Sequence, residues 1–217
     1  DFNQRLTGIG IRTQAELDWI APDLDLHPIS IGYRQSRKLA AYARELARLQ
    51  GSDVEERAPE YGEVIGFDPV SRCGLDTAEK CAAWLTERIV EIERRMQGKL
   101  PTVAVLVARK DAAEELASAL DQALRPFNLK AKAYASGETI GQSNDVRVFP
   151  VSDIKGLEFE AVFFVDVDQL AEQEPELFDR YIYVGATRAA SFLGLTASGP
   201  RLPSVLASRG LSYGQSW

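Results

Sequence analysis

With 217 residues, 45% of them hydrophobic and 26% charged, the chain can bury a sizeable core and reads as one globular domain or one domain with a small appendage. No apolar run approaches the ~20 residues of a membrane helix, so a soluble, cytoplasmic protein without a membrane partner is expected. A formal net charge of -7 argues against a globally basic nucleic-acid binder, although charge can be local.

The first residues, DFNQRLTG, lack the basic-then-apolar layout of a signal peptide and lack a starting Met, so the chain reads as cut from a longer protein. Residues 14–20 (QAELDWI) predict a short helix and 28–33 (PISIGY) an extended segment. Residues 35–49 (QSRKLAAYARELARL) predict an amphipathic helix stopped by Gly51. The stretch 52–62 is rich in Asp, Glu, Pro and Gly and predicts a loop leading to a strand at 63–67. From 76 to 97 a helix is expected, with Asp76 as N-cap, Glu79 completing a capping box, and Ala82, Leu85, Ile89 and Ile92 on one face. TVAVLVA at 102–108 suits a strand buried on both faces, followed by a helix at 111–124. Further strands are expected at 130–134, 146–149, 161–166 and 192–196, with a helix around 178–190 and a peripheral ending. This alternation is that of an α/β fold with a mainly parallel sheet and crossover helices.

Cys73 and Cys81, with the single His27, provide too few ligands for a zinc site or a disulfide framework. They read as reduced structural thiols, and no metal-binding residue is assigned. His27, before Pro28, reads as a loop residue, and Phe163 and Phe164 as core.

The most informative strings are KGLEF (155–159), directly ahead of an apolar strand, and YVGATRA (183–189). KGLEF resembles motif V and YVGATRA motif VI of UvrD, Rep and PcrA helicases. Upstream, GYRQSRKLAAYA (32–43) resembles motif IV, and DFNQRL resembles the end of motif III. The order and separation also fit this family, the superfamily 1 UvrD-like DNA helicases.

The resemblance implies a RecA-like three-layer α/β/α fold of the P-loop NTPase kind. Residues 1–13 would end a preceding motor domain, 14–200 would form the second motor domain, and 201–217 a peripheral tail. It implies catalytic roles for Arg188 as arginine finger, for Arg34 on the same phosphate, and for Gln4 toward the attacking water. Glu158 would meet the nucleotide ribose, Gly156 would let the backbone approach the nucleotide, and Ser152 and Thr187 are the candidate nucleic-acid contacts. Arginine suits the task because its guanidinium stays charged and matches phosphate oxygens with a planar fork, and phosphoryl transfer is catalysed chiefly by positioning and charge neutralisation.

No G-x-x-x-x-G-K-[ST] string occurs, so ATP with Mg2+ would be held by a first RecA-like domain, and this chain alone is expected not to hydrolyse ATP. Single-stranded DNA is the implied track, with 3'-to-5' movement by analogy. Unwinding members carry Thr-x-His at the start of motif V, where this chain has Pro150 and Ser152. A Pro-Val ahead of KGLEF is similar to the HelD-like branch, whose members act on RNA polymerase. The alternatives are therefore an ATP-driven remodelling factor of RNA polymerase and a non-catalytic binding module that keeps the fold.

Overall fold

The structure is a computed structural model, and it describes residues 14–23, 35–49, 66–134, 145–154, 156–208 and 210–217. Within these residues six strands form one sheet: β1 (Val70–Cys73), β2 (Val103–Val107), β3 (Lys130–Ala133), β4 (Asp145–Pro150), β5 (Phe159–Phe164) and β6 (Ala189–Ala197). Their order across the sheet is β1-β6-β5-β2-β4-β3, and every pairing is parallel. The helices are α1 (Gln14–Ile20), α2 (Arg37–Leu49), α3 (Ala78–Arg95), α4 (Lys110–Leu124), α5 (Val167–Gln173) and α6 (Phe178–Ala186).

Alternation along the strands divides the core into two layers. Val103, Val105 and Val107 of β2 join Ala161 and Phe163 of β5 in a cluster with α3 and α4. Ala104, Leu106, Val162 and Phe164 join α2, α5 and α6 on the other face. Strands covered on both faces read as continuous apolar runs, and β2 is buried at all its positions. The result is the three-layer α/β/α architecture that the sequence implies.

Several local expectations are corrected. The N-cap of α3 is Thr77, whose side chain accepts from the Lys80 N–H at 3.3 Å, while Asp76 forms an ion pair with Lys80 Nζ at 2.6 Å. Of the strand expected at 63–67 only Gly66 and Phe67 lie within the described residues; the Phe67 N–H donates to the Ser191 carbonyl at 3.3 Å, and the first strand described is β1 at Val70–Cys73. The helix expected to reach residue 190 ends at Ala186. There the Thr187 hydroxyl donates to the Val184 carbonyl at 2.7 Å and the Arg188 N–H to Gly185 at 3.0 Å, which tightens the last turn and releases Ala189 into β6. Helix α5 was not anticipated; it follows Asp166, whose backbone is left-handed at φ 55°. The extended segment 28–33, the Gly51 stop, the loop 52–62 and His27 lie outside the described residues.

Two glycines set the packing of the centre. A Cβ on Gly185 of α6 would overlap the Phe164 ring, and one on Gly194 of β6 would stand 2.5 Å from Phe163 Cδ1. At the β1 edge, Gly214 N–H donates to the Pro69 carbonyl at 2.8 Å, and the Trp217 ring meets Phe163 and Phe192 edge-on. Cys73 and Cys81 are free thiols, and burial pushes Cys81 up to about 12. Among the described residues no helix is long and apolar enough to cross a membrane.

Candidate functional site

The segment between β4 and β5 is a connection with alternating anchors and exposed groups. After Pro150 a single 3-10 turn spans Val151–Asp153, and Val151 and Ile154 are buried. Gly156 then takes φ +82°, the left-handed region in which glycine carries no steric cost, and its flank is open, with no atom within 4 Å of a Cβ position. Gly156 and Glu158 are exposed, whereas Phe159 is buried. Ser152 is exposed, with its hydroxyl bonded to Asp153 Oδ1 at 3.0 Å.

The Phe159 backbone joins this connection to the second string. Its N–H donates to the Arg188 carbonyl at 3.0 Å, and Phe159 is in register with Ala189 as β5 and β6 begin. The fold therefore brings Glu158 and Arg188 to the same edge of the sheet, at the N-terminal ends of β5 and β6. Arg188 is 5% exposed, in surroundings where a charge acts at lower effective dielectric than in water.

A third segment meets the same turn. Gln35 Nε2 donates to the carbonyls of Ala186 at 2.8 Å and Ala189 at 2.9 Å, one on each side of Thr187–Arg188. The Ser36 N–H donates to the Ala190 carbonyl at 2.8 Å, and its Oγ accepts from the Leu39 N–H as N-cap of α2. The residue before Gln35 is Arg34, which lies outside the described residues, as do Gln4 and Lys155. Thr187 sits in the turn itself, where its hydroxyl is engaged in closing α6.

Sequence reasoning did not single out Gln35 or Arg147. Arg147 stands in β4, all of whose residues are buried, and is itself 7% exposed. Its guanidinium carbon lies 6.0 Å from the Phe159 ring centroid, and among the described residues its Nε meets no acceptor. Removing a lone ion from water costs several kcal/mol, more than the ~0.5–2 kcal/mol of a cation–π contact. The available signal was one charged residue inside the otherwise apolar run VRVFP.

A separate crevice of about 430 Å3 lies at the opposite, C-terminal ends of β2 and β5, where successive connections leave the sheet in opposite directions and ligands of open α/β sheets commonly bind. Its lining includes Asp76, Glu79, Glu115 and Asp166, with Arg109 the cation, and Arg109 pairs with Asp111. Burial raises the Asp166 carboxyl above the ordinary range and the nearby Asp168 charge adds to this, opposed by the hydrogen bond from Ser198 Oγ at 2.8 Å. Asp168 in turn accepts from the Ser198 and Gly199 N–H groups at 3.0 and 2.7 Å. Among the described residues, none of those expected from the sequence to act on nucleotide or DNA lines this crevice, and its acidic lining does not suit phosphate. The Arg188 edge, by contrast, carries the buried guanidinium groups of Arg188 and Arg147. Among the described residues no group of three or more His, Cys, Asp or Glu side chains could hold a metal ion.

The comparisons with known proteins bear on the same segment. Residues 145–196 match the family model of the UvrD-like helicase C-terminal domain. That match runs from the start of β4 through the 150–158 connection and the Arg188 turn into β6. Among solved structures the chain is similar to the C-terminal domain of a possible DNA helicase from Lactobacillus plantarum WCFS1. The identity is 18% and the TM-score 0.59, with 80% of this chain and 92% of that chain covered, a likeness of fold. No curated protein sequence matches. Residues 145–196 thus carry the match to the UvrD-like helicase C-terminal domain, and the six-stranded parallel sheet that holds them has a RecA-like α/β/α fold.

Proposed function

We propose that the chain is the second motor domain of an ATP-driven translocase on single-stranded DNA. It completes a nucleotide site whose phosphate-binding loop and Mg2+ ligands belong to another domain of the same protein. The observation that carries this reading is the junction at Phe159, which holds Glu158 and Arg188 at one sheet edge while Gln35 fastens the residues after Arg34 to the same turn.

In this reading Arg188 and Arg34 neutralise charge on the transferred phosphoryl group, and Gln4 orients the attacking water. Glu158 accepts from the ribose, and Gly156 permits close backbone approach. Bound ATP with Mg2+ supplies the phosphoanhydride whose hydrolysis drives the motor. Closure of the two domains on nucleotide, and their reopening, would move the protein along its track.

The test is turnover by the protein that joins this chain to a domain with a phosphate-binding loop. Arg188→Ala is expected to lower ATP hydrolysis by ~10³ while leaving nucleotide binding largely intact; unchanged turnover removes the finger role.

A second reading, a motor of the same construction that remodels a protein complex such as RNA polymerase on DNA, rests on Pro150 and Ser152 at the start of the motif V string. Salt-dependent single-strand binding with DNA-stimulated hydrolysis supports the first reading. Hydrolysis indifferent to DNA, with a protein complex co-purifying, supports the second.

A further inference from the structure

We infer that Arg147 is a further arginine of the nucleotide-facing edge and binds a phosphate oxyanion beside Phe159; this rests on the nucleotide-site reading above. Arg147 shares its strand parity with Phe149, which places it on the sheet face that carries α2, α5 and α6. It is more than nine-tenths buried, and among the described residues its Nε has no acceptor. The carboxylate two residues earlier, Asp145, is engaged by Lys132 Nζ of β3 at 3.0 Å. The Phe159 ring lies against the guanidinium but offers its N–H groups no acceptor.

Buried charges are held where a counter-charge meets them. Phe159 links Arg147 to the rest of the edge, because the same residue hydrogen-bonds the Arg188 carbonyl and follows Glu158 directly. A guanidinium offers its donors as a planar fork, the geometry that phosphate oxygens match, and the Phe159 ring centroid 6.0 Å from its carbon takes up none of them. In the proposed assembly a triphosphate is the anion brought to this edge. A carboxylate from the facing domain would present the same kind of oxygen atoms, so the probes must separate the two.

The experiment follows the Nε–H resonances of Arg147 and Arg188 in the 15N-labelled 217-residue chain during titration with inorganic triphosphate, with sodium acetate as the parallel probe. Arg147→Lys and Arg188→Lys supply the assignments, and an unchanged amide map away from each position certifies the fold. Saturable movement of the Arg147 resonance with triphosphate but not acetate, weakened at least fivefold for the Arg188 response in Arg147→Lys, is the expected result. Equal saturation by acetate overturns the choice of phosphate. Movement of Arg188 alone overturns the role of Arg147 and leaves the nucleotide-edge reading standing. If neither moves, the inference falls, and the nucleotide-edge reading is then judged by Arg188→Ala turnover.

Discussion

Gln35 and Arg188 are coupled through the main chain: the Gln35 amide donates to the carbonyls of Ala186 and Ala189, which bracket the arginine. These residues are more than 150 positions apart in sequence, and the Ala186 carbonyl belongs to the last turn of α6, where no helical N–H is available to it.

Gln35→Ala is therefore expected to destabilise the chain by about 2 kcal/mol, the loss of two hydrogen bonds at ~1 kcal/mol each. In a domain of this size that is roughly 4–8 °C in melting temperature. A thermal melt unchanged by the substitution would show that the amide does not hold the turn.

Gly185→Ala tests the packing of the same helix on the sheet. Its new methyl group would overlap the Phe164 ring, and overpacking of this kind typically costs ~1–3 kcal/mol. Phe164→Leu in the same chain is expected to recover part of the loss, because residues in contact do not act additively. A double variant as unstable as the sum of the two single ones would place the clash elsewhere.

The cap of α3 separates two adjacent residues. Thr77→Ala is expected to cost ~1 kcal/mol, as loss of an N-cap does. Asp76→Ala removes an exposed ion pair with Lys80 and is expected to leave the denaturation midpoint within error. The reverse ranking in urea unfolding would restore Asp76 as the cap.

Asp166 gives a pH signature. Its folded-state carboxyl titrates above the ordinary value, chiefly through burial and secondarily through the Asp168 charge. The folded state thus binds the proton more tightly than the unfolded one. Its contribution to stability is fully present below the unfolded value of about 3.9 and is lost as pH rises through the folded value. Asp166→Asn keeps an oxygen to accept from Ser198 and is expected to raise the melting temperature at pH 7. That advantage should shrink toward zero as pH falls below the ordinary carboxylate range. A gain that is the same at both ends would mean that the charge is not the cause.

What was legible in the sequence was what is contiguous. KGLEF and YVGATRA each lie within one connection or one helix end, so their chemistry could be read as strings. The buried run of β2 shows its environment in its composition. Gln35 and Arg147 were not legible, because their meaning depends on partners brought by the fold, the Ala186–Ala189 turn for one and the Phe159 ring for the other. The cap of α3 was misplaced by one residue because Asp and Thr are both good caps, and only backbone geometry decides between neighbours. Helix α6 was read too long because its apolar pattern continues into β6, and the stop lies in the hydrogen bonds of Thr187 and Arg188. Arg34 and Gln4 lie outside the described residues, so their roles rest on the resemblance.

The most direct test of the account is ATP turnover at saturating nucleotide by the protein that carries this chain together with a phosphate-binding-loop domain, compared between wild type and Arg188→Ala. A fall of ~10³ with nucleotide affinity nearly unchanged is the result expected of an arginine that acts on the transferred phosphoryl group. Equal turnover in the two proteins would contradict it.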